Sequence, residues 1–224
     1  MAGVDSIDRL ICALGADLLP VRRLASPALR ALGWLAIVGA IGIALATVTD
    51  LHAMMRRLAA APDMWLAVIG STLTAILAVL AAFELSLPDR KAVWALLPLP
   101  AAAVWVSASG LGCLRQWLVP DTHPATPQDA QSCLAFILCI SIPLSILLIA
   151  MLRRAFSLRP SLAAAIGGLA CASAAATLIN LIHPYDAAAT DLAAHALAVA
   201  VVVVANRAVG GRILASQNNI FAFV

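Results

Sequence analysis

In this chain of 224 residues, 63% are hydrophobic and only 11% charged, and the mean hydropathy is +1.01. That is too little charge for a soluble globular domain of this length, so the composition points to a membrane protein. The net charge of +3 is small enough to follow from membrane orientation alone, and no direct contact with nucleic acid is expected.

The one part suited to water is the segment from Met1 to Arg30. Between Asp5 and Leu19 the apolar residues Ile7, Leu10, Ile11, Leu14 and Leu18 recur at spacings of three and four, which places them in one narrow stripe on a helix. Arg9, Cys12 and Ala16 fall on the other side. Asp5 is positioned to cap this helix, Asp8 lies in the first turn where negative charge is favoured, and Pro20 stops it. So short a helix is marginal alone in water and needs a partner for its stripe. One such partner is the bilayer surface, but surface helices usually carry Lys and Arg on their polar face. Here Asp5, Asp8 and Asp17 stand against Arg9 alone, a balance better suited to docking in the groove of a cytosolic protein of basic character.

Six apolar stretches follow: Ala31–Thr49, Met64–Phe83, Ala92–Gly112, Cys133–Met151, Ser161–Ile182 and Leu192–Asn206. Each is long enough to cross the hydrocarbon as a helix, the last only marginally. None shows the alternating pattern of a barrel strand, so the expected fold is an all-α membrane protein with six transmembrane helices. Its parts are a segment 1–30, a bundle 31–214 and a tail 215–224. Because a charged, Pro-containing segment precedes the first stretch, a cleaved signal peptide is not expected.

With six crossings, the N-terminus, the loop Glu84–Lys91, the loop Leu152–Pro160 and the C-terminus share one side. They hold Arg9, Arg22, Arg23, Arg30, Arg90, Lys91, Arg153, Arg154, Arg159, Arg207 and Arg212, against Arg56, Arg57 and Arg115 on the other. This asymmetry predicts that both termini are cytoplasmic. Few polar residues interrupt the spans: Thr72, Thr74, Ser141, Ser145, Ser173, Thr177 and Asn180. No charge lies near a span centre, so no proton relay or ion path is expected. Pro98, Pro100 and Pro143 can kink the third and fourth helices, and the Ala and Gly of the fifth permit close packing.

The histidines, His52, His123, His183 and His195, fall on the opposite side together with most of the aspartates. No pair has the spacing of a metal site, and no metal or cofactor is expected. Of the five cysteines, Cys113 ends the third span and Cys133 opens the fourth at that side, where an oxidising compartment permits disulfides. A thiol exposed there can be oxidised or metallated reversibly. Cys139 and Cys171 are expected to be small packing residues, and Cys12 a reduced thiol. No Walker motif, zinc-protease motif or nucleophile elbow is present, so an enzyme is not expected.

The run LICALGADLLPVRRLASPALRALGW, the segment CLAFILCISIPLSILLIAMLRRAFSLRPSLAAAIGGLA and the closing NRAVGGRIL resemble the NrsF-type membrane anti-sigma factors. These are six-span inner-membrane proteins of Gram-negative bacteria that restrain an extracytoplasmic-function sigma factor, and the likeness runs in order over most of the chain. It implies that the cytoplasmic N-terminal part holds the sigma factor, which carries over to Leu10, Leu14, Asp17, Leu18, Pro20 and Val21. It also implies release on a metal or oxidative stress signal, sensed by an outward cysteine at the start of the fourth span and another just after the fifth. Cys133 matches the first. The second is missing, because the chain reads LIHPYDAAATD there, with His183 followed by Pro184. The trigger therefore stays open between Cys133 alone, Cys133 with Cys113, a thiol with His183 on a metal, and some other signal. A small permease or channel, with a path lined by Thr72, Ser141, Ser173 and Asn180, and a scaffold subunit of a membrane complex are the alternatives.

Overall fold

The computed structural model describes residues 2–16, 24–60, 62–118, 127–180 and 189–221. Among them every regular element is helical: α1 (Ala2–Ala16), α2 (Pro27–Ala46), α3 (Leu51–Ala60), α4 (Pro62–Leu85), a 3-10 turn (Ala92–Leu96), α5 (Leu99–Leu118), α6 (Pro127–Leu152), α7 (Pro160–Ile179), α8 (Ala189–Ala205), a π turn (Asn206–Gly210) and α9 (Gly211–Phe221). Six segments are long and apolar enough to cross a membrane: Pro27–Ala46, Asp63–Leu85, Ala92–Gly112, Gln131–Leu152, Pro160–Ile179 and Leu192–Ser216. Each overlaps one of the six stretches read from the sequence.

Helix α7 is the axis of the bundle, with 72% of its span buried against 17% for the first, third and sixth spans. Its sequence, PSLAAAIGGLACASAAATLI, explains this. Small side chains let neighbouring backbones close in where apolar area alone gives helices no preference over lipid. A methyl group added at Gly168 would sit 2.9 Å from the Asn206 Cβ and 3.0 Å from the Val203 Cα, and one at Gly167 would sit 2.9 Å from Leu148. The pair thus lets α7 touch α6 on one side and the sixth span on the other. Cys171 is buried within this helix as expected. The larger core residues Trp34, Phe83, Leu144, Leu148 and Leu152 pack around the same helix.

The polar side chains of the spans are satisfied locally, as hydrocarbon requires. Thr72 donates to the Val68 carbonyl (2.7 Å), Thr74 to Gly70 (2.7 Å), Ser173 to Leu169 (2.6 Å) and Thr177 to Ser173 (3.0 Å). Links also cross between helices, among them Ser71 to Thr177 at 2.9 Å, which joins α4 to α7.

Three elements differ from the sequence reading. The third stretch is not one helix: a 3-10 turn precedes α5, because Pro98 and Pro100 lack the amide donors that would carry the helical hydrogen-bond ladder across this point. The sixth span does not end at Asn206 but continues through the π turn to Ser216. Asn206 is buried, and its amide donates to Ser145 Oγ and the Val202 carbonyl, both at 2.9 Å. Gly211 lies so close to α7 that a Cβ there would be 2.9 Å from Ser161 Oγ. The segment boundary drawn after residue 214 thus falls within α9. The third difference is α3, in the first connection. Its N-terminus is capped by Asp50, whose Oδ1 accepts from the Ala53 amide at 3.0 Å. This bond is the main reason the Asp50 carboxyl is held below the usual carboxylate range.

Candidate functional site

The loops that carry most of the basic residues meet at one end of the bundle. The Ser157 hydroxyl donates to the Leu85 carbonyl (3.1 Å), and the Arg159 guanidinium donates to the Arg90 carbonyl (3.2 Å), which ties the connection after α6 to the connection after α4. Arg90 in turn pairs with Glu84 at 2.9 Å and lies over the Trp94 ring. The start of α9 packs on Ser161 at the start of α7. Arg90, Lys91, Arg153, Arg154, Arg159, Arg207 and Arg212 therefore share this end, and all are exposed.

The first span enters the bundle here too. Ser26 caps α2 by accepting from the Leu29 amide (3.3 Å), and Pro27 supplies the fixed backbone angle favoured in a first helical turn. One turn on, Arg30 is only 8% exposed. Its guanidinium donates to Ser86 Oγ (3.4 Å) and to the Met151 carbonyl, and lies 4.5 Å from the centre of the Phe83 ring. A single side chain thus ties the entry of α2 to the last turns of α4 and α6. Sequence reasoning counted Arg30 only as a topological charge. Its position four residues into an apolar helix, behind a Ser-Pro pair, was the available signal.

Helix α1 precedes this anchor in the chain. Ile7, Leu10, Ile11 and Leu14 are 58–64% exposed, so the stripe predicted from the spacing packs against nothing in the described structure. The helix begins at Ala2 rather than at Asp5, because nothing in Ala2–Val4 interrupts it; Asp5 therefore lies inside the helix and not at its cap. Asp17, Leu18, Pro20 and Val21 lie outside the described residues.

At the other end, the predicted sensing residues are only partly described. Cys133 is 1% exposed and packs with Ile137, Ala175, Ile179 and Ala198, so its thiol is not the surface group expected from its place at the start of a span. The helix turn it occupies faces α7 and α8. Cys139, expected to be a packing residue, is exposed on the outside of the bundle. The backbone of Cys113 is helical at the end of α5, its side chain lies outside what is described, and so does His183. No group of three or more metal-ligating side chains occurs among the described residues.

That end also contains a cavity of about 430 Å³ between α4, α5, α7 and α8, with Asp63, Asn180 and His195 among its lining residues. Of the four polar residues of the supposed permeation path, Asn180 lines this cavity and Thr72, Ser141 and Ser173 do not.

The model of the NrsF family, described as negative regulator of sigma F, matches residues 14–215. No curated protein and no solved structure matches the chain.

Proposed function

The chain belongs to the NrsF family, the negative regulators of sigma F, and from that premise we propose that it is an inner-membrane anti-sigma factor that holds an extracytoplasmic-function sigma factor through its N-terminal segment. The observation that carries this reading is the uncovered stripe Ile7, Leu10, Ile11 and Leu14 on α1. An amphipathic helix with an unpaired apolar face binds as a helix laid in a groove. Both termini are cytoplasmic in this reading, supported by the collection of exposed arginines at the end where α2 begins. The contacts of Arg30 make the entry of α2 a firm mount for the segment that precedes it. In this reading the binding segment also includes Asp17, Leu18, Pro20 and Val21, which follow α1 in the sequence.

The trigger in this reading is a metal or oxidative signal at Cys133, acting alone, with Cys113, or with His183. Burial of Cys133 against α7 and α8 means that modification must first separate these helices, so a chemical event at one end is coupled to packing. A loss of about 3 kcal/mol in affinity, about 150-fold, would take a partner held at about a hundredfold over its dissociation constant from about 99% bound to about 40% bound, since each 1.4 kcal/mol is about tenfold.

The test is co-purification of the full chain with its candidate sigma factor in detergent. Replacing Leu10→Asp together with Leu14→Asp is expected to weaken capture by about a hundredfold or more while the bundle keeps its thermal transition. Undiminished capture by this variant, or by a chain lacking residues 1 to 27, would sink the proposal. An unchanged response of Cys133→Ser to oxidant and to metal would remove that residue from the mechanism.

A further inference from the structure

The cavity between α4, α5, α7 and α8 lies at a particular depth. Asp63 is the first residue of the second span, Gly112 the last of the third and Leu192 the first of the sixth, while Asn180 directly follows α7. All four residues line the cavity, as does His195 one turn into the sixth span. Its polar groups therefore sit where the helices leave the hydrocarbon. From Leu192 the cavity runs along α8 to Val203, about 16 Å at the usual helical rise, or roughly half the thickness of a bilayer core. Along that length Trp105, Val199 and Val203 give it apolar walls.

The cavity is built in by close packing. A Cβ at Gly70 would lie 2.7 Å from the Trp105 amide nitrogen, so α4 and α5 meet almost backbone to backbone beside it. A Cβ at Gly112 would lie 2.7 Å from Asp63 Oδ2, so the carboxylate occupies room that only glycine leaves. A volume of about 430 Å³ falls within the range of about 300–1,000 Å³ typical of small-molecule sites, and so does an apolar body with a few polar groups.

The charge of the lining decides what head group fits. Among the described residues the lining contains the Asp63 carboxylate and the His195 imidazole but neither lysine nor arginine, and most of the exposed arginines gather at the other end of the bundle, with Arg56 at this one. Asp63 and His195 already take part in polar contacts, and a carboxylate has about four lone-pair sites, so it can accept further donors. A fatty acid or phosphate head would meet a carboxylate in a site of reduced dielectric, which is repulsive.

We propose that this cavity is a binding site for a cationic amphiphile, an alkylamine-like molecule whose head lies by Asp63 and Asn180 and whose tail follows α8 toward Val203. The site is independent of the sigma-binding reading and of which side of the membrane it faces.

The test uses the full chain in nanodiscs of neutral phosphatidylcholine, with dodecylamine carrying a diazirine at its tail end and the matching dodecanoic acid as comparator. Irradiation with the amine is expected to label peptides from α5 and α8, and excess plain dodecylamine to reduce that label by about tenfold while dodecanoate does not. Asp63→Asn is expected to reduce amine labelling by about tenfold and to leave labelling by the acid as it was. Ala196→Trp, which fills the cavity, is expected to remove the amine label. If that variant does not fold, competition on the natural chain decides. Equal labelling by amine and acid, or a label that excess dodecylamine cannot displace, would mean contact with bulk lipid only and would overturn the proposal.

Discussion

Helices α1 and α7 are both rich in apolar residues, yet one exposes its large side chains and the other is buried nearly all round. The difference lies in residue size more than in hydrophobicity. Around α7, Gly167, Gly168, Cys171 and the alanines admit neighbouring helices, while large residues such as Ile43 and Val204 are left at the periphery, 70% and 64% exposed. In hydrocarbon an exposed Val204 costs nothing, because lipid solvates it as well as protein does. Leu14, at 64% exposure on a segment outside the spans, meets a different solvent. In the proposed reading the same exposure is neutral at one place and a docking surface at the other.

The largest effect that would test this contrast is on α7. Gly168→Leu places a side chain against Val203 Cα and the Val202 carbonyl, backbone that cannot yield cheaply. A loss of more than about 3 kcal/mol is expected, seen as a collapsed thermal transition in detergent. A variant as stable as the natural chain would show that α7 is not closely held. The paired Asp substitutions at Leu10 and Leu14 should do the opposite, abolishing capture with the transition unchanged.

An intermediate effect is expected at the junction. Arg30→Ala removes donors from Ser86 and the Met151 carbonyl and a cation from the Phe83 ring, at a cost of roughly 1–3 kcal/mol. Hydrogen exchange should rise in the first turns of α2 and remain slow in α7. Equal acceleration in both helices would mean that Arg30 stabilises the whole bundle rather than the mount of the N-terminal segment.

The smallest effect concerns α3, which like α1 is not one of the six spans but is capped by its own chain. The folded-state pKa of Asp50 is lowered, first by the Ala53 amide, so its contribution is present above the usual carboxylate pKa and is lost as pH falls through the lowered value. Below about pH 4 the Ala53 amide should lose protection, its exchange being compared with the intrinsic rate at the same pH, and Asp50→Ala should abolish that change. A protection factor unaltered by pH in the natural chain would show that the cap contributes nothing to α3.

Much of this was legible from the sequence. Six runs without charge can only be helices in a membrane, because each backbone amide must find its partner within its own segment. The spacing of Ile7, Leu10, Ile11 and Leu14 determined a one-sided helix, and the run of small residues in α7 marked a tightly packed one. The likeness to the NrsF family was carried by motifs spread in order along the chain, and the family match covers the same span.

Only the tertiary structure decided which residues those helices bring together. Arg30 reads as one more basic residue until Ser86 and Met151, distant in sequence, are found beside its guanidinium. Cys133 reads as an exposed thiol until α7 and α8 close over it. The cavity behind Asp63 and His195 has no counterpart in any local pattern. The sequence sets which environment each segment must occupy, because solvation is a local property. Contacts between segments depend on how closely backbones approach, which small residues permit but do not by themselves specify.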